Sequence, residues 1–179
     1  RMVMDDSPEG RLLSYGSVVL RNGDLDLFEI GGWLNDRVMT FASEYMLEQL
    51  SQEERESIEL ICASTCEVLK FDGGFASFLS DFAEKRLLFF IVNNNADPRT
   101  AGGTHWSLLV WHGRERRFLC FDSLPSPEKE APSVIAQNAG RFLTGCRQIP
   151  PLLFMPCPKQ PNSSDCGVFV LEFIHFILK

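Results

Sequence analysis

The chain has 179 residues, 45% of them hydrophobic, which is enough for one globular domain with its own core and too few to expect two. A formal charge of -7 and a pI near 5.0 argue against a nucleic-acid backbone as partner, because phosphate binding runs on clustered Lys and Arg. No apolar run reaches the roughly 18 residues of a membrane span, and the opening "RMVMDDSPEG" lacks a signal-peptide apolar region, so the expectation is a soluble protein of the cytoplasm or nucleus. In that setting Cys62, Cys66, Cys120, Cys146, Cys157 and Cys166 read as reduced thiols, most of them small buried hydrophobes.

No internal repeat or low-complexity tract interrupts the chain, so its elements are expected to share one core. "YGSVVLRNGDLDLF" (15–28) reads as a strand, an Asn-Gly-Asp turn and a short extended segment. "WLNDRVMTFASEYMLEQL" predicts a helix capped by Asn35, with Asp36 in its first turn and Val38, Phe41, Ala42, Tyr45 and Met46 at helical spacing. "GGFASFLSDFAEK" (73–85) predicts a second short helix. "RLLFFIV" (86–92) has the continuous apolar run of a buried central strand. "APSVIAQNAGRFL" (131–143) predicts a third helix closed by Gly145, and "PLLFMP" (151–156) a short strand between prolines. Helices flanking a small mixed sheet make the class α+β.

"HWSLLVWHGRERRFLCFDS" (105–123) predicts an antiparallel hairpin around the polar "HGRERR". A two-residue turn at Gly113–Arg114 sets His105 directly opposite Asp122, at the roughly 4.5–5.5 Å Cβ separation of facing residues. A carboxylate there fixes the tautomer of the imidazole and stabilises its charged form.

"KQPNSSDCGVFVLEFIHF" (159–176) puts Cys166 between a polar, turn-rich run and an apolar helix that is expected to run through the core. The positive end of a helix and a neighbouring imidazolium both favour a thiolate. Cys166, His105 and Asp122 would then supply nucleophile, base and orienting group, with Gln160 beside the Cys166 N–H as donor to the oxyanion of an acyl transfer. Blander readings stand beside these. A lone Asp-Cys-Gly is more often an inert buried cysteine, and Trp33 and Trp106 are as readily core residues as functional ones. His112 reads as a solvated turn residue and His175 as a core histidine. The Cys62–Cys66 pair has no second pair of ligands, so neither metal nor cofactor is expected.

"WLNDRVMTFASEYM", "AGGTHWSLLVW", "FLCFDS" and "KQPNSSDCGVFV" together resemble the sentrin-specific proteases, cysteine proteases of ubiquitin-like modifiers, and within them the deneddylase branch. The long "VNNNADPRTAGGTHWSLLV" resembles that branch's mobile loop before its histidine. The resemblance runs in order from about Tyr15 to the C-terminus, so residues 1–179 are expected to form a single catalytic domain. It implies a papain-like cysteine protease fold with the triad in His-Asp-Cys order, the reverse of papain's Cys-then-His. By position it implies that His105, Asp122 and Cys166 are the triad and Gln160 the oxyanion donor. Trp33 and Trp106 would line a tunnel for a Gly-Gly tail, while Asp36 and Thr104 would contact the modifier's C-terminal segment.

The implied activity is cleavage after the Gly-Gly of a ubiquitin-like modifier, both in its precursor and on lysines of conjugated proteins, with the neddylation modifier first and SUMO or ubiquitin as alternatives. An acetyltransferase with a similar triad and a catalytically silent modifier-binding module are the other readings. The tunnel tryptophans oppose the first and the intact triad the second. The enzyme is expected to be a monomer. In this family the chain continues past the helix that starts at the cysteine, so a closing segment beyond Lys179 is implied, and "RMVMDD" reads as a fragment boundary.

Overall fold

The computed structural model describes residues 7–100, 102–146 and 148–179; the reading of "RMVMDD" lies outside them. An antiparallel hairpin, β1 (Arg11–Tyr15) and β2 (Val18–Arg21), comes first. The Asn-Gly-Asp sequence after it does not turn into an extended segment as expected. It opens a 3₁₀ helix, Asn22–Phe28, because Asp24 bonds back to the Arg21 N–H at 2.8 Å and curls the chain. Helix α1 (Asp36–Glu48) begins where expected, the Asn35 side chain accepting from the Val38 N–H at 2.9 Å.

Short helix α2 (Gln52–Glu56), strand β3 (Ile58–Ile61) and helix α3 (Ala63–Phe71) follow. A second 3₁₀ helix spans Phe75–Phe82, and then come β4 (Leu87–Asn93), β5 (Trp106–His112), β6 (Arg117–Phe121), α4 (Glu130–Thr144), β7 (Leu152–Phe154) and α5 (Cys166–Leu178). Helix α4 stops at Gly145, whose φ of 65° is the left-handed conformation that glycine adopts without a Cβ penalty.

Strands β3 to β7 form one mixed sheet in chain order, with outer pairs β3/β4 and β6/β7 parallel and the inner pairs antiparallel. Every residue of β4 is buried, since helices cover both faces of the sheet. Phe89, Ile91, Leu108 and Val110 pack toward α1 and α5 on one side. Leu88, Phe90, Leu109 and Trp111 pack toward α3 and α4 on the other.

Three further expectations are corrected. Helix α5 lies on the sheet and does not run through the core: Val170, Phe173 and Ile174 are buried while Val168 and Phe176 face solvent. His175 shares that solvent side and is not a core residue. The hairpin register also differs by two residues. Trp111 faces Phe118 and Leu108 faces Phe121, because the loop is residues 113–116 and includes Arg116 at a φ of 50°.

Candidate active site

That register takes His105 off the position directly opposite Asp122, yet the two still meet. A slip of two residues keeps both side chains on the same face, whereas a slip of one would have flipped the set. They are diagonal neighbours across the ladder, within reach of each other's side chains. His105 Nε2 lies 2.8 Å from Asp122 Oδ1, and both residues are buried. Asp122 Oδ1 also accepts the Leu124 N–H and Oδ2 the Glu128 N–H, each at 2.8 Å, so the carboxylate cannot swing away from the ring. Burial pushes the Asp122 carboxyl up, but the His105 ring and these two amides outweigh it and hold it below its ordinary value.

With Nε2 committed to Asp122, Nδ1 is the nitrogen left for Cys166, which lies near enough to the ring to raise its pKa. Burial alone would lower the His105 pKa, but the bond to Asp122 and the contact with Cys166 raise it to about 9. Cys166 is the first residue of α5 and is 1% exposed. The thiol therefore stands at a helix N-terminus beside a ring that holds its proton through neutral pH.

Gln160 is buried on the strap between β7 and α5. It is held by its backbone N–H to Ser123 O at 2.9 Å, by Ser123 Oγ to its Oε1 at 2.6 Å, and by its Nε2 to Asn162 O at 2.7 Å. The strap is further pinned to Asp122 O by Cys157 Sγ (3.2 Å) and Lys159 Nζ (2.8 Å).

A cavity of about 710 Å³ is lined by Trp33, Leu34, Asp36 and Trp106. Ala63, Glu67, Val68 and Phe71 of α3 form one wall, and Pro98, Thr100, Gly102 and Gly103 the other. Trp106 sits next to His105 in the chain, and its indole N–H donates to Leu34 O at 2.9 Å. Trp33 is 40% exposed and lines the cavity in place of packing in the core. Thr104 does not line this cavity; it is exposed and tied to Asn94, whose Oδ1 accepts the N–H of both Thr104 (2.7 Å) and His105 (3.0 Å).

The contributions of α3, Asn94 and Ser123 escape a reading of the sequence alone. Helix α3 begins at Cys62 without a side-chain cap, and "ASTCEVLKF" carries little periodicity to announce it. Asn94 sits in a run of three asparagines that signals only a loop. Ser123 was in view in "FDS", but nothing local shows which residue its hydroxyl would meet. Among the described residues no cluster of His, Cys, Asp and Glu is arranged to hold a metal ion, and all six cysteines are free thiols.

A thiol, an imidazole and a carboxylate in one buried chain, on a mixed sheet flanked by helices, have the makings of a cysteine hydrolase. Comparison with known proteins carries this further. The Ulp1 protease family, C-terminal catalytic domain, matches residues 32–179, and the chain belongs to that family of cysteine proteases. Sentrin-specific protease 8 of Homo sapiens is 32% identical over 167 residues, spanning 89% of this chain and 77% of its own. NEDD8-specific protease 1 of Arabidopsis thaliana is 31% identical over 176 residues, spanning 92% and 74%. The X-ray structure of the C-terminal Ulp1 protease domain in complex with Smt3, the yeast ortholog of SUMO, superposes with a TM-score of 0.74 at 17% identity, covering 94% of this chain and 76% of that one.

Proposed function

We propose that the chain cleaves after the C-terminal Gly-Gly of a ubiquitin-like modifier, with NEDD8 as the preferred modifier, both in precursors and on lysines of conjugated proteins. The observation that carries this reading is a cavity lined by Trp33 and by Trp106, the residue that follows the buried, Asp122-bonded His105 in the chain. Flat indole faces pass an extended diglycine and exclude side chains at both positions. The preference for NEDD8 is supported by the NEDD8-specific protease 1 of Arabidopsis thaliana, at 31% identity. A SUMO-directed enzyme is supported by likeness of fold alone, at 17% identity.

In this reading the thiol proton already resides on His105 Nδ1 when Cys166 Sγ attacks the carbonyl carbon of the last glycine. Gln160 Nε2 and the Cys166 N–H hold the oxyanion. Collapse of the tetrahedral adduct breaks the C–N bond, His105 returns the proton to the departing lysine amine, and a thioester remains. Water, deprotonated by the same imidazole, then hydrolyses the thioester and frees the thiol. The acidic Asp36 at the cavity suits a basic residue of the modifier's tail. The reading includes a monomer working in the cytoplasm or nucleus.

The test is a panel of NEDD8, SUMO and ubiquitin probes with electrophilic C-termini. A covalent adduct with the NEDD8 probe, lost in Cys166→Ala, is expected. Faster labelling by SUMO or ubiquitin, or labelling at another cysteine, would overturn the modifier or the nucleophile respectively.

A further inference from the structure

The residue after Asp122 has no place in the mechanism above, yet it is fully buried and its hydroxyl donates to the side chain named as oxyanion donor. Ser123 is 1% exposed, and Gln160, against it, is 8% exposed. We infer that Ser123 is a positioning residue that sets which end of the Gln160 amide faces the acyl oxyanion, so that Asp122 and Ser123 together hold both halves of the catalytic site. This inference rests on the reading of Gln160 as oxyanion donor.

A glutamine amide has a donor end and an acceptor end of almost the same shape, and a flipped amide would meet an oxyanion with its own oxygen. Two neighbours decide the orientation here. Asn162 O is a backbone carbonyl, which can only accept, so the end 2.7 Å from it must be Nε2. Oε1 then faces Ser123 Oγ at 2.6 Å, where the hydroxyl proton must donate to it. One N–H of Nε2 serves Asn162, and the second is the one an oxyanion would use.

Both supports are rigid. Asn162 Oδ1 accepts the N–H groups of Ser164 (3.1 Å) and Asp165 (3.0 Å), a closed turn leading straight into Cys166. On the other side, β7 runs parallel to β6, Met155 N–H bonds Cys120 O at 2.8 Å, and Gln160 N–H bonds Ser123 O at 2.9 Å. Ser123 thus grips Gln160 at backbone and side chain at once. The Asp122 carboxylate fixes the base, and the neighbouring hydroxyl fixes the electrophile's partner. Without the hydroxyl, Oε1 is left buried with no donor and the amide loses the contact that distinguishes its two ends.

The experiment is a double-mutant cycle on a NEDD8 derivative carrying a fluorogenic amide after its Gly-Gly. Gln160→Ala is expected to lower kcat by about 10²-fold, the scale of losing one oxyanion donor. Ser123→Ala should lower kcat about 10-fold with KM little changed, and should lower it no further in the Gln160→Ala background, since residues acting through one another are not additive. Alkylation of Cys166 by iodoacetamide, which forms no oxyanion, should proceed at the wild-type rate with the same pH profile. Ser123→Thr, which keeps the hydroxyl, should recover most of the lost rate. Should Ser123→Ala melt below the assay temperature, Ser123→Cys carries the same cycle with a thiol that donates only weakly. The same loss in both backgrounds, or a matching loss in alkylation, would overturn the inference by placing Ser123 in general packing or in the His105–Asp122 arm. Full activity in Ser123→Ala beside a slow Gln160→Ala removes this inference alone. Full activity in Gln160→Ala removes the oxyanion reading and this inference with it.

Discussion

Trp106 and Leu34 are joined by one hydrogen bond, indole N–H to backbone carbonyl at 2.9 Å, which ties the start of β5 to the approach of α1. Leu34 is also the residue against which α5 begins: a Cβ added at Gly167 would lie 3.0 Å from Leu34 Cβ and 3.1 Å from Met39 Sδ. The helix that starts at Cys166, the strand that follows His105 and the wall of the cavity therefore converge on one buried leucine.

Replacing Trp106 by phenylalanine keeps an aromatic wall and removes only the N–H, leaving Leu34 O without its donor. A neutral hydrogen bond contributes about 1 kcal/mol, so kcat/KM on a Gly-Gly substrate should fall about 5- to 10-fold. The loss is one of alignment and not of thiol chemistry. Iodoacetamide should still label Cys166 at the wild-type rate, and a parallel loss in labelling would place the effect on the nucleophile.

The His105 pKa, raised to about 9, sets a pH dependence with a definite sign. The folded protein holds the ring's proton more tightly than the unfolded chain does. Its contribution to stability is fully present below about 6.5 and is lost as pH rises through about 9. The alkaline limb of kcat/KM, which belongs to the coupled His105–Cys166 pair, should fall in the same region. Asp122→Asn removes the charge partner and should move that limb down by about 1–3 units, readable in a pH–rate profile. An unmoved limb would show that another group controls it.

Asp24 is 2% exposed and accepts the Arg21 N–H (2.8 Å), Asn35 Nδ2 (2.7 Å), and Nε and Nη2 of Arg37 (3.1 and 2.6 Å). Burial pushes its carboxyl up, but these donors outweigh it and bring the pKa from 3.8 to about 2. The stabilisation is present above 3.8 and is lost as pH falls through about 2. Asp24→Asn should destabilise the fold by about 2 kcal/mol at pH 7. The gap in Tm between variant and wild type should close as both are melted at successively lower pH. A gap independent of pH would mean that the charge contributes nothing.

The sequence shows most clearly those elements whose signals are local. Asn35 before an amphipathic run, the unbroken "LLFFIV" and Gly145 after an apolar helix each announce their element with a few neighbouring residues. The meeting of His105 and Asp122 was also legible, though through a register off by two: the turn length was misread, and the period-2 alternation of a strand kept both residues on one face. Helix α3 and strand β3 were not legible, being short, weakly patterned and held by the sheet. The burial of one face of α5 was equally hidden, because a helix apolar all round does not say which side its neighbours cover. Asn94 and Ser123 act across 11 and 37 residues of chain, and only the folded topology brings their partners to them.

The loop between β4 and β5, whose composition and resemblance imply mobility in the free protein and closure over a bound tail, has a stem tied by hydrogen bonds. Lys70 Nζ donates to Asn93 O and Asn95 O, each at 2.7 Å, and forms an ion pair with Glu67 Oε1 at the same distance. Asn94 bonds the backbone of His105 at both its N–H and, through the Asn94 N–H, its carbonyl (3.2 Å). Gly103 adopts a φ of 98°, and a Cβ there would run into Asn93 Oδ1, so the chain folds back onto the stem only with glycine at this point. Mobility should then be confined to the tip around Pro98, Thr100 and Gly102, which forms the cavity's outer wall. In hydrogen exchange on the free enzyme, the amides of Asn94, Asn95 and His105 should be protected and that of Gly102 should exchange quickly, becoming slow when a modifier tail is bound. Asn94→Ala should release the stem, speed exchange at His105 and lower kcat by about 10-fold, with modifier affinity little changed. If His105 exchanges as fast as Gly102 in the wild-type enzyme, the stem is not held and the base is set only when substrate arrives.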